Sequence, residues 1–552
     1  MGICSSISAT VYHVDAINGS NSTGNGSSGN PYQTLSAVMS SLTGGDEVVL
    51  YDGNYGGLDF GYNTSTIYSS WVTFRAATGE TPELDFLRIT GAGGTNSAGS
   101  YDAYVIVSGV HILGIGVEES IELLGPRHVV IEDCLIEIDG PWTGSEANIE
   151  KTGFYIRGGS DVTLENCEIT RVGTGVQARG VDINILYNHI HDITHDGIRS
   201  IGLEDSLVEG NLIHGLDDGL DDEVPPVAWN RHCDGIHVFI QGANSAELLK
   251  PNENVIYRGN IIYDIESQGV QFNNYGPFPT VHNSDLIFEN NIFGPVGAYN
   301  IFNNSDPVDN LTFRGNTIVY VEGGKSYTSP YNQSGRTILN DNYGVAFTSS
   351  TSGLRVYNNI LNHSWGWPTS TATIFDYNVV MNQVQGAALG GSNTIVVTNN
   401  QFVSPSALDG VIFNDSPAIN AATLSPSIYG YDVYGNARGS NPDIGAVELV
   451  GTGVSGAGDV TPPQVAYLNN TLTGNTNKLT YFKVIFDEDV DETTAESTSN
   501  YAINNGVSVT SAMLDANGYM VTLGVSGLSA SVTYTLTVNN VEDVAGNEIA
   551  TN

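Results

Sequence analysis

The sequence predicts an all-β chain in two parts, a long solenoid of short stacked strands and then a small β-sandwich. Three observations predict it: an Asn-centred unit that recurs from about 129 to 402, a composition rich in turn formers, and a change of pattern near residue 450. The unit is a β-rich triplet, then Asn or Cys, one residue, and an apolar residue. It reads VVIEDCLI at 129–136, VTLENCEI at 162–169, NILYNHI at 184–190 and LVEGNLI at 207–213. It continues as VIYRGNII, LIFENNIF, LTFRGNTI, LRVYNNIL and VVTNNQF. The key positions are Cys134, Cys167, Asn188, Asn211, Asn260, Asn291, Asn316, Asn359 and Asn400, spaced 33, 21, 23, 49, 31, 25, 43 and 41. The shortest spacings fit one coil of a parallel β-helix, and the longer ones fit coils with inserted loops. Stacked coils place equivalent residues ~4.8 Å apart, so an Asn at a repeated turn bonds the Asn above and below and satisfies buried turn backbone. A propeller or sandwich gives no reason for such a ladder.

Composition agrees. Gly at 65 and Tyr at 28 suit strands and turns rather than helical bundles, and 40% apolar residues supply a core. Sixty acidic against 18 basic residues leave a net charge of −42. That balance excludes nucleic-acid and anionic-membrane binding, which need clustered Lys and Arg. Four cysteines are too few for a disulfide scaffold, and Cys134 and Cys167 fall in the ladder column as buried thiols. No run of 18 apolar residues is present, so no membrane span is expected. The opening MGICSSISATVYHVD shows no signal peptide. Secretion therefore implies a leader removed beforehand.

Both ends of the repeat region carry a family resemblance. Residues 12–55 combine a Gly/Ser loop, PYQTL, a short capping helix expected over about 33–42, and GDEVVLYDGNY. This resembles the opening of secreted bacterial right-handed parallel β-helix proteins. Residues 416–448 resemble the segment that closes many of them. The Gly-rich 451–459 reads as a linker, and 460–552 alternates apolar and polar residues as in LTYFKVIFDEDV and VTYTLTVNNV. That last stretch resembles the Ig-like modules of bacterial surface and secreted enzymes. The division expected is a β-helix over 1–450 with its cap at about 12–55, the linker, and an Ig-like β-sandwich.

Chemistry in a solenoid sits on an outer sheet face between inserted loops, expected here at about 139–152, 217–233, 242–253 and 320–345. Six of the 11 histidines (His189, His191, His195, His214, His232, His237) fall within 189–237. Eight of the 18 basic residues lie in 151–258, which with 17 acidic residues is still net −9. A second unit, GTGVQAR, HDGIRS, CDGIHVF and SQGVQFN, aligns on its Gly. Val176, Ile198, Ile236 and Val270 then point inward and Gln177, Arg199, His237 and Gln271 outward. Thr174, Asp196, Asp234 and Gln268 precede the Gly, which makes Asp196 and Asp234 neighbours on adjacent coils. The D-G of Asp218 competes with Asp234 for the coil position. Stacked carboxylates are costly unless they share a proton, hold a cation or pair with Arg. Taken singly, each D-G is a turn former; the pair beside Arg199 and His237 marks a site. Gly197 and Gly235 are expected to leave a shallow floor for a sugar ring.

His195 and His232 adjoin the D-G units as acid/base candidates, whereas His189, directly after a ladder Asn, reads as a turn residue. Asp217, Asp218, Asp221 and Asp222 offer carboxylates to Ca²⁺, the one cofactor expected. Lys250 reads as a solvated loop charge, and Tyr275 as a proton donor or stacking platform.

Three enzyme resemblances bear on function. Similarity to polysaccharide lyases of this fold implies Arg199 with Arg179 or Arg231 neutralising a uronate carboxylate, and His195, His237 or Lys250 as the base. THDGI and HCDGI resemble the aspartate contexts of polygalacturonase-type hydrolases, implying Asp196 and Asp234 as the acid/base set. HDGI also resembles one motif of mannuronan C5-epimerases. From another class comes a carbohydrate-binding adhesin or tailspike-like rod without catalysis. The expectation is a secreted or cell-surface enzyme acting on an acidic polysaccharide, with lyase chemistry ahead of hydrolysis, and with Gln271 and Tyr275 among the substrate contacts.

Overall fold

The computed structural model describes residues 9–63, 66–91, 101–138, 151–216, 233–240, 250–272, 281–294, 296, 299–303, 308–319, 325–327, 336–338, 343–347, 351–362, 372–381, 391–397, 401–402, 410–413, 416–424, 429–449, 462–469, 481–486, 490–514, 520–527, 534–543 and 547–549. Two long sheets, of 22 and 13 strands, run through the repeat region, and successive coils pair in parallel within each. In the 22-stranded sheet Ile131, Leu164, Ile185, Val208, Tyr257, Phe288, Phe313 and Val356 stand in one register column. Every member is at most 1% exposed. In the 13-stranded sheet Ile136, Ile169, Ile190, Ile213, Ile262, Phe293 and Ile318 form a second column. Burying each such side chain contributes roughly 1.5–3 kcal/mol, so the core is a set of continuous apolar stacks.

The Asn unit makes the corner between the sheets. The residue before each rung has left-handed backbone: Asp133, Asn166, Tyr187, Gly210, Gly259, Asn290, Gly315, Asn358 and Tyr377 all lie at φ between 52° and 66°. Asn, Asp and Gly accept that conformation most readily, which accounts for most of the column; Tyr187 and Tyr377 are held there by the corner. The rung itself closes the hydrogen bonds. Asn188 donates its backbone N–H and its Nδ2 to Asn211 Oδ1, each at 3.0 Å, and the same pair of bonds repeats from Asn211 to Asn260, to Asn291, to Asn316 and to Asn359. Cys134 and Cys167 head the column as buried free thiols, and the Cys167 N–H donates to Asn188 Oδ1.

One rung differs from expectation. Asn359 bonds Asn378, 19 residues on, so the interval read as one coil with an insertion contains a further rung in DYNVV. Asn400 lies outside the described residues. A second ladder at another corner joins Asn252 to Asn283, with Ser200 Oγ donating to Asn252 Oδ1. The capping helix is a single turn, Ser36–Met39, with Val38 buried. Beyond 460, Val465–Asn469, Tyr481–Phe486, Met520–Ser526 and Ser508–Leu514 form an antiparallel sheet, and Tyr501–Ile503 pairs with Leu536–Val538. These strands pack their own core around Phe486, Val521 and Leu523. Among the described residues no helix is long and apolar enough to cross a membrane.

Candidate active site

The site coils consist of β1 (Thr152–Glu165), β2 (Glu168–Thr170), β3 (Thr174–Leu186), β4 (His189–Ile193), β5 (Ile198–Glu209), β6 (Leu212–Leu216), β7 (Asp234–Val238), β8 (Glu253–Arg258), β9 (Ile261–Ile265) and β10 (Gln268–Phe272). Strands β1, β3, β5, β7, β8 and β10 belong to the larger sheet; β2, β4, β6 and β9 belong to the smaller. Val176, Ile198, Ile236 and Val270 pair in register and are buried, which leaves Tyr155, Gln177, Arg199, His237 and Gln271 as the alternate column. It is Asp234, in β7, that takes the coil position after Asp196.

Asp196 is the centre of this arrangement. Its side chain is fully buried, and each of its four acceptor positions is used. Oδ1 accepts from the Asp234 backbone N–H at 3.1 Å and lies 3.1 Å from His195 Nδ1. Oδ2 accepts from Arg199 Nε at 2.6 Å and lies 3.3 Å from His237 Nδ1. Burial alone would raise its pKa, but His195, Arg199 and His237 hold the carboxyl well below the usual carboxylate range. Asp234 is shifted the other way. It too is fully buried, and burial followed by the Asp196 charge pushes it well above that range. The pKa values of two adjacent carboxyls are thereby pushed apart, Asp196 down and Asp234 up.

His237 Nδ1 also lies 3.6 Å from Asp234 Oδ2. Burial is the main cause that lowers the His237 pKa; Asp196 pulls it up, and Arg199 and His195 push it down. The Arg199 contribution is secondary to burial. Arg199 Nη1 reaches Gln177 Oε1 at 3.4 Å, and Nη2 lies 2.9 Å from both ring nitrogens of His195. With its proton on Nδ1, His195 donates to Asp196 Oδ1 and leaves Nε2 to accept from Arg199 Nη2. The side chains of His195 and Arg199 are 19% and 22% exposed, against 0% for both aspartates. Solvent therefore meets the imidazole and guanidinium, with the carboxylate behind them.

Two residues along the strands, Arg157 of β1 and Arg179 of β3 stand opposite each other in register. Burial and then the neighbouring Arg157 charge lower the Arg179 pKa. In a chain of −42, three arginines on one face of consecutive strands are a local exception. Lys250 is placed differently: its Cβ and backbone oxygen pack toward Gly202, past the end of the Arg199 column. Gln271 is buried beside His237 in register, and its Oε1 has no hydrogen-bond partner among the described residues, as is true of Gln268 Oε1 and Asp234 Oδ2. Arg231, His232, Tyr275, Asp217, Asp218, Asp221 and Asp222 lie outside the described residues.

The glycines do not form a floor for substrate. A Cβ on Gly197 would lie 2.5 Å from the Gly235 oxygen and 2.7 Å from Ile213 Cγ2; one on Gly235 would lie 2.5 Å from Ile262 Cγ2. Gly153 and Gly175 meet Ile169 and Ile190 in the same way. This glycine column faces the core, where the smaller sheet's isoleucine stack closes on the backbone.

Six of the histidines seemed a single group in sequence, yet the fold divides them. His189 is not a turn residue: it opens β4, and with His191 it lies on the outer side of the smaller sheet, where His189 Nε2 and His214 Nε2 are 2.8 Å apart. His191 bridges Asp192 Oδ2 at 2.9 Å and Glu168 Oε1 at 3.2 Å. Burial opposes its charge, but those two carboxylates outweigh it and push its pKa up to about 9. The sequence signal was the i, i+2 spacing of His189 and His191, which in a strand means one face.

Asp196, Asp234 and His237 each bring a donor atom within 4.8 Å of the others. They do not fit Ca²⁺, which takes six to eight oxygens. Every Asp196 acceptor position is filled, its charge is matched by Arg199 at 2.6 Å, and burial and the Asp196 charge push the Asp234 carboxyl well above the usual carboxylate range.

A family model described as the right handed beta helix region matches residues 63–245 and 147–361, and one described as a bacterial Ig-like domain matches 459–552. No curated protein matches the chain. Among solved structures, pectate lyase Pel9A is similar at 18% identity, covering 80% of this chain and 97% of its own, with a TM-score of 0.43. The family PL6 alginate lyase AlyGC is similar at 13% identity over 69% of this chain and 54% of its own, TM-score 0.40. The GH136 lacto-N-biosidase from Eubacterium ramulus is similar at 13% identity over 70% and 68%, TM-score 0.39.

Proposed function

The chain belongs to the right-handed β-helix family, and from that premise we propose that it is a secreted or cell-surface polysaccharide lyase that cleaves a uronate-containing chain by β-elimination. The observation that carries this reading is the partly exposed His195–Arg199 pair mounted on the buried, ionised Asp196. A uronate carboxylate placed on Arg199 takes the Nη donors now shared with Gln177 and His195, while Nε stays on Asp196 and fixes the guanidinium plane. Arg179 and Arg157 extend the cationic row along the same face and suit a second acidic sugar.

Neutralising the carboxylate acidifies the proton on the adjacent ring carbon. His195 Nε2, released from Arg199, removes that proton; Asp196 holds the ring by Nδ1 and stabilises the imidazolium that forms. The C–H electron pair becomes the ring double bond, the bond to the 4-linked oxygen breaks, and the leaving oxygen takes a proton from solvent or a nearby acid. His237, kept neutral by burial, and Asp234 pack behind Asp196 and orient it.

The hydrolase reading has one specific feature in its favour, the opposite pKa shifts of Asp196, down, and Asp234, up. Against it, both carboxyls are fully buried and Asp196 has no acceptor position left for a water or sugar. Incubating the chain with alginate, pectate, chondroitin and ulvan decides between them. Ultraviolet absorbance from an unsaturated uronate product supports elimination; new reducing ends without that absorbance support hydrolysis; neither signal leaves a binding module. Loss of product with EDTA that Ca²⁺ restores would support a cation held by Asp217, Asp218, Asp221 and Asp222, and product formed equally with and without EDTA would remove Ca²⁺ from the reading.

A further inference from the structure

On the smaller sheet, away from the Asp196 column, Glu168, His189 and His191 each place one donor atom within 4.8 Å of the others. We infer that these residues, with His214 beside them, form a transition-metal site of the Zn²⁺ class that pins three consecutive coils together. This rests on strand register and donor-atom distances and is independent of the lyase reading.

Glu168 on β2 stands directly opposite His189 on β4, and His191 stands opposite His214 on β6. Because His189 and His191 are two apart in a strand, both face outward, and the coil spacing sets the other donors above and below them. The present separations are close to those around a bound ion. Metal–ligand distances of about 2.0–2.2 Å in a tetrahedron put neighbouring donors about 3.3 Å apart. Here His191 Nε2 and Glu168 Oε1 are 3.2 Å apart, and His189 Nε2 and His214 Nε2 are 2.8 Å apart. An ion entering the group needs small rotations of side chains, with no change of backbone.

The surroundings already orient the rings. Asp192 Oδ2 accepts from His191 Nδ1 at 2.9 Å, which fixes Nε2 as the ligand nitrogen in the manner of a carboxylate–histidine–metal triad. The His214 ring stacks on Tyr263 at 5.0 Å and 3°, and the His189 ring stacks on His191 at 4.0 Å. The Glu168 side chain is 35% exposed and that of His191 15%, so the group opens to solvent on one side. Imidazole nitrogens with one carboxylate select a borderline ion over Ca²⁺ or Mg²⁺, which require oxygen ligands.

The test uses the full chain without an affinity tag, titrated calorimetrically with Zn²⁺ alone, then with Ca²⁺ and Mg²⁺. One equivalent of Zn²⁺ is expected to bind and to raise the thermal midpoint, with Ca²⁺ and Mg²⁺ giving neither. His191→Gln is expected to weaken Zn²⁺ binding by more than ~100-fold, and Asp192→Asn by ~10-fold, while His282→Gln leaves it unchanged. Zinc-edge X-ray absorption on the wild-type chain is expected to show nitrogen and oxygen neighbours with imidazole outer shells. That measurement stands even where a variant folds poorly. No stoichiometric Zn²⁺ binding, sulfur neighbours, or unchanged affinity in a folded His191→Gln would each overturn the site.

Discussion

Two ladders run along the same coils, and they treat polar atoms in opposite ways. In the Asn ladder each rung both gives and accepts: Asn260 Oδ1 takes the two Asn211 donors, while its Nδ2 goes to Val208 O and to Asn291 Oδ1. In the ladder of Asp196, Asp234 and Gln268 the same device is present, since each carboxyl accepts the backbone N–H of the next coil. A carboxylate has no donor to pass on. Charge therefore accumulates at Asp196, burial and that charge push the Asp234 pKa well above the usual carboxylate range, and the acceptors Asp234 Oδ2 and Gln268 Oε1 find no hydrogen-bond partner among the described residues. Amides make a closed, repeating, purely structural column. Carboxylates in the same role leave unspent acceptor capacity and an ion pair whose cationic half meets solvent, and that is where chemistry can be placed.

The comparison breaks most visibly at the rungs. Asn260→Ala strands the Asn211 backbone and side-chain donors and the Val208 carbonyl, each costing about 1–3 kcal/mol. A loss of at least about 3 kcal/mol in denaturant unfolding is expected. A loss below about 1 kcal/mol would mean that water replaces the rung and that the ladder is not what holds the corner.

Next in size is the glycine column. Gly197→Ala drives a methyl into the Gly235 oxygen and Ile213, so the two sheets must separate locally. Overpacking of this kind costs about 1–3 kcal/mol, read as a lower thermal midpoint. An unchanged midpoint would restore the reading of Gly197 as an outward floor.

The smallest stability effect is expected at Asp234, whose pKa is pushed up by burial and the Asp196 charge. Asp234→Asn keeps the shape and the Oδ1 acceptor for the Gln268 N–H, so its loss should stay within about 1 kcal/mol near pH 4. Its sign changes with pH. A raised folded pKa favours the fold below the unfolded value of about 3.9 and loses that contribution as pH rises through the folded value. The variant is freed of this, so its midpoint should gain on wild type between pH 4 and neutrality. Asp196 runs the opposite way: its depressed pKa contributes stability above about pH 3.9 that is lost as pH falls through the folded value. Parallel pH profiles for wild type and Asp234→Asn would contradict the split.

Much of this was legible in the sequence. The rungs stand out because an Asn pinned between a left-handed residue and an apolar strand start leaves a local signature, seen in YNHI and GNLI. Asn378 escaped because its coil takes 19 residues, shorter than the spacings that set the expectation. The Asp196, Arg199, Asp234 and His237 alignment followed from the shared Gly. What that alignment did not carry was direction: Gly197 faces inward because the smaller sheet's isoleucines approach its backbone, a distance no repeat pattern encodes. Nor did it separate the histidines, since His191 and His195 are four residues apart in sequence yet stand on either side of a corner between two sheets. Secretion and the identity of the sugar are carried by no residue pattern here.

The central claim is that the outer pair on Asp196 performs chemistry while the rungs behind it hold the fold. His195→Ala tests it most directly, measured for unsaturated-uronate formation on the best substrate of the panel and for thermal midpoint in the same preparation. Product formation is expected to fall by at least ~100-fold, the scale of a lost general base, with the Asp196–Arg199 pair left in place and the stability lowered by no more than the loss of one hydrogen bond to Asp196 Oδ1, about 1–3 kcal/mol. Product formation near the wild-type rate in the folded variant would contradict it, and would make the Asp196 column a second structural ladder.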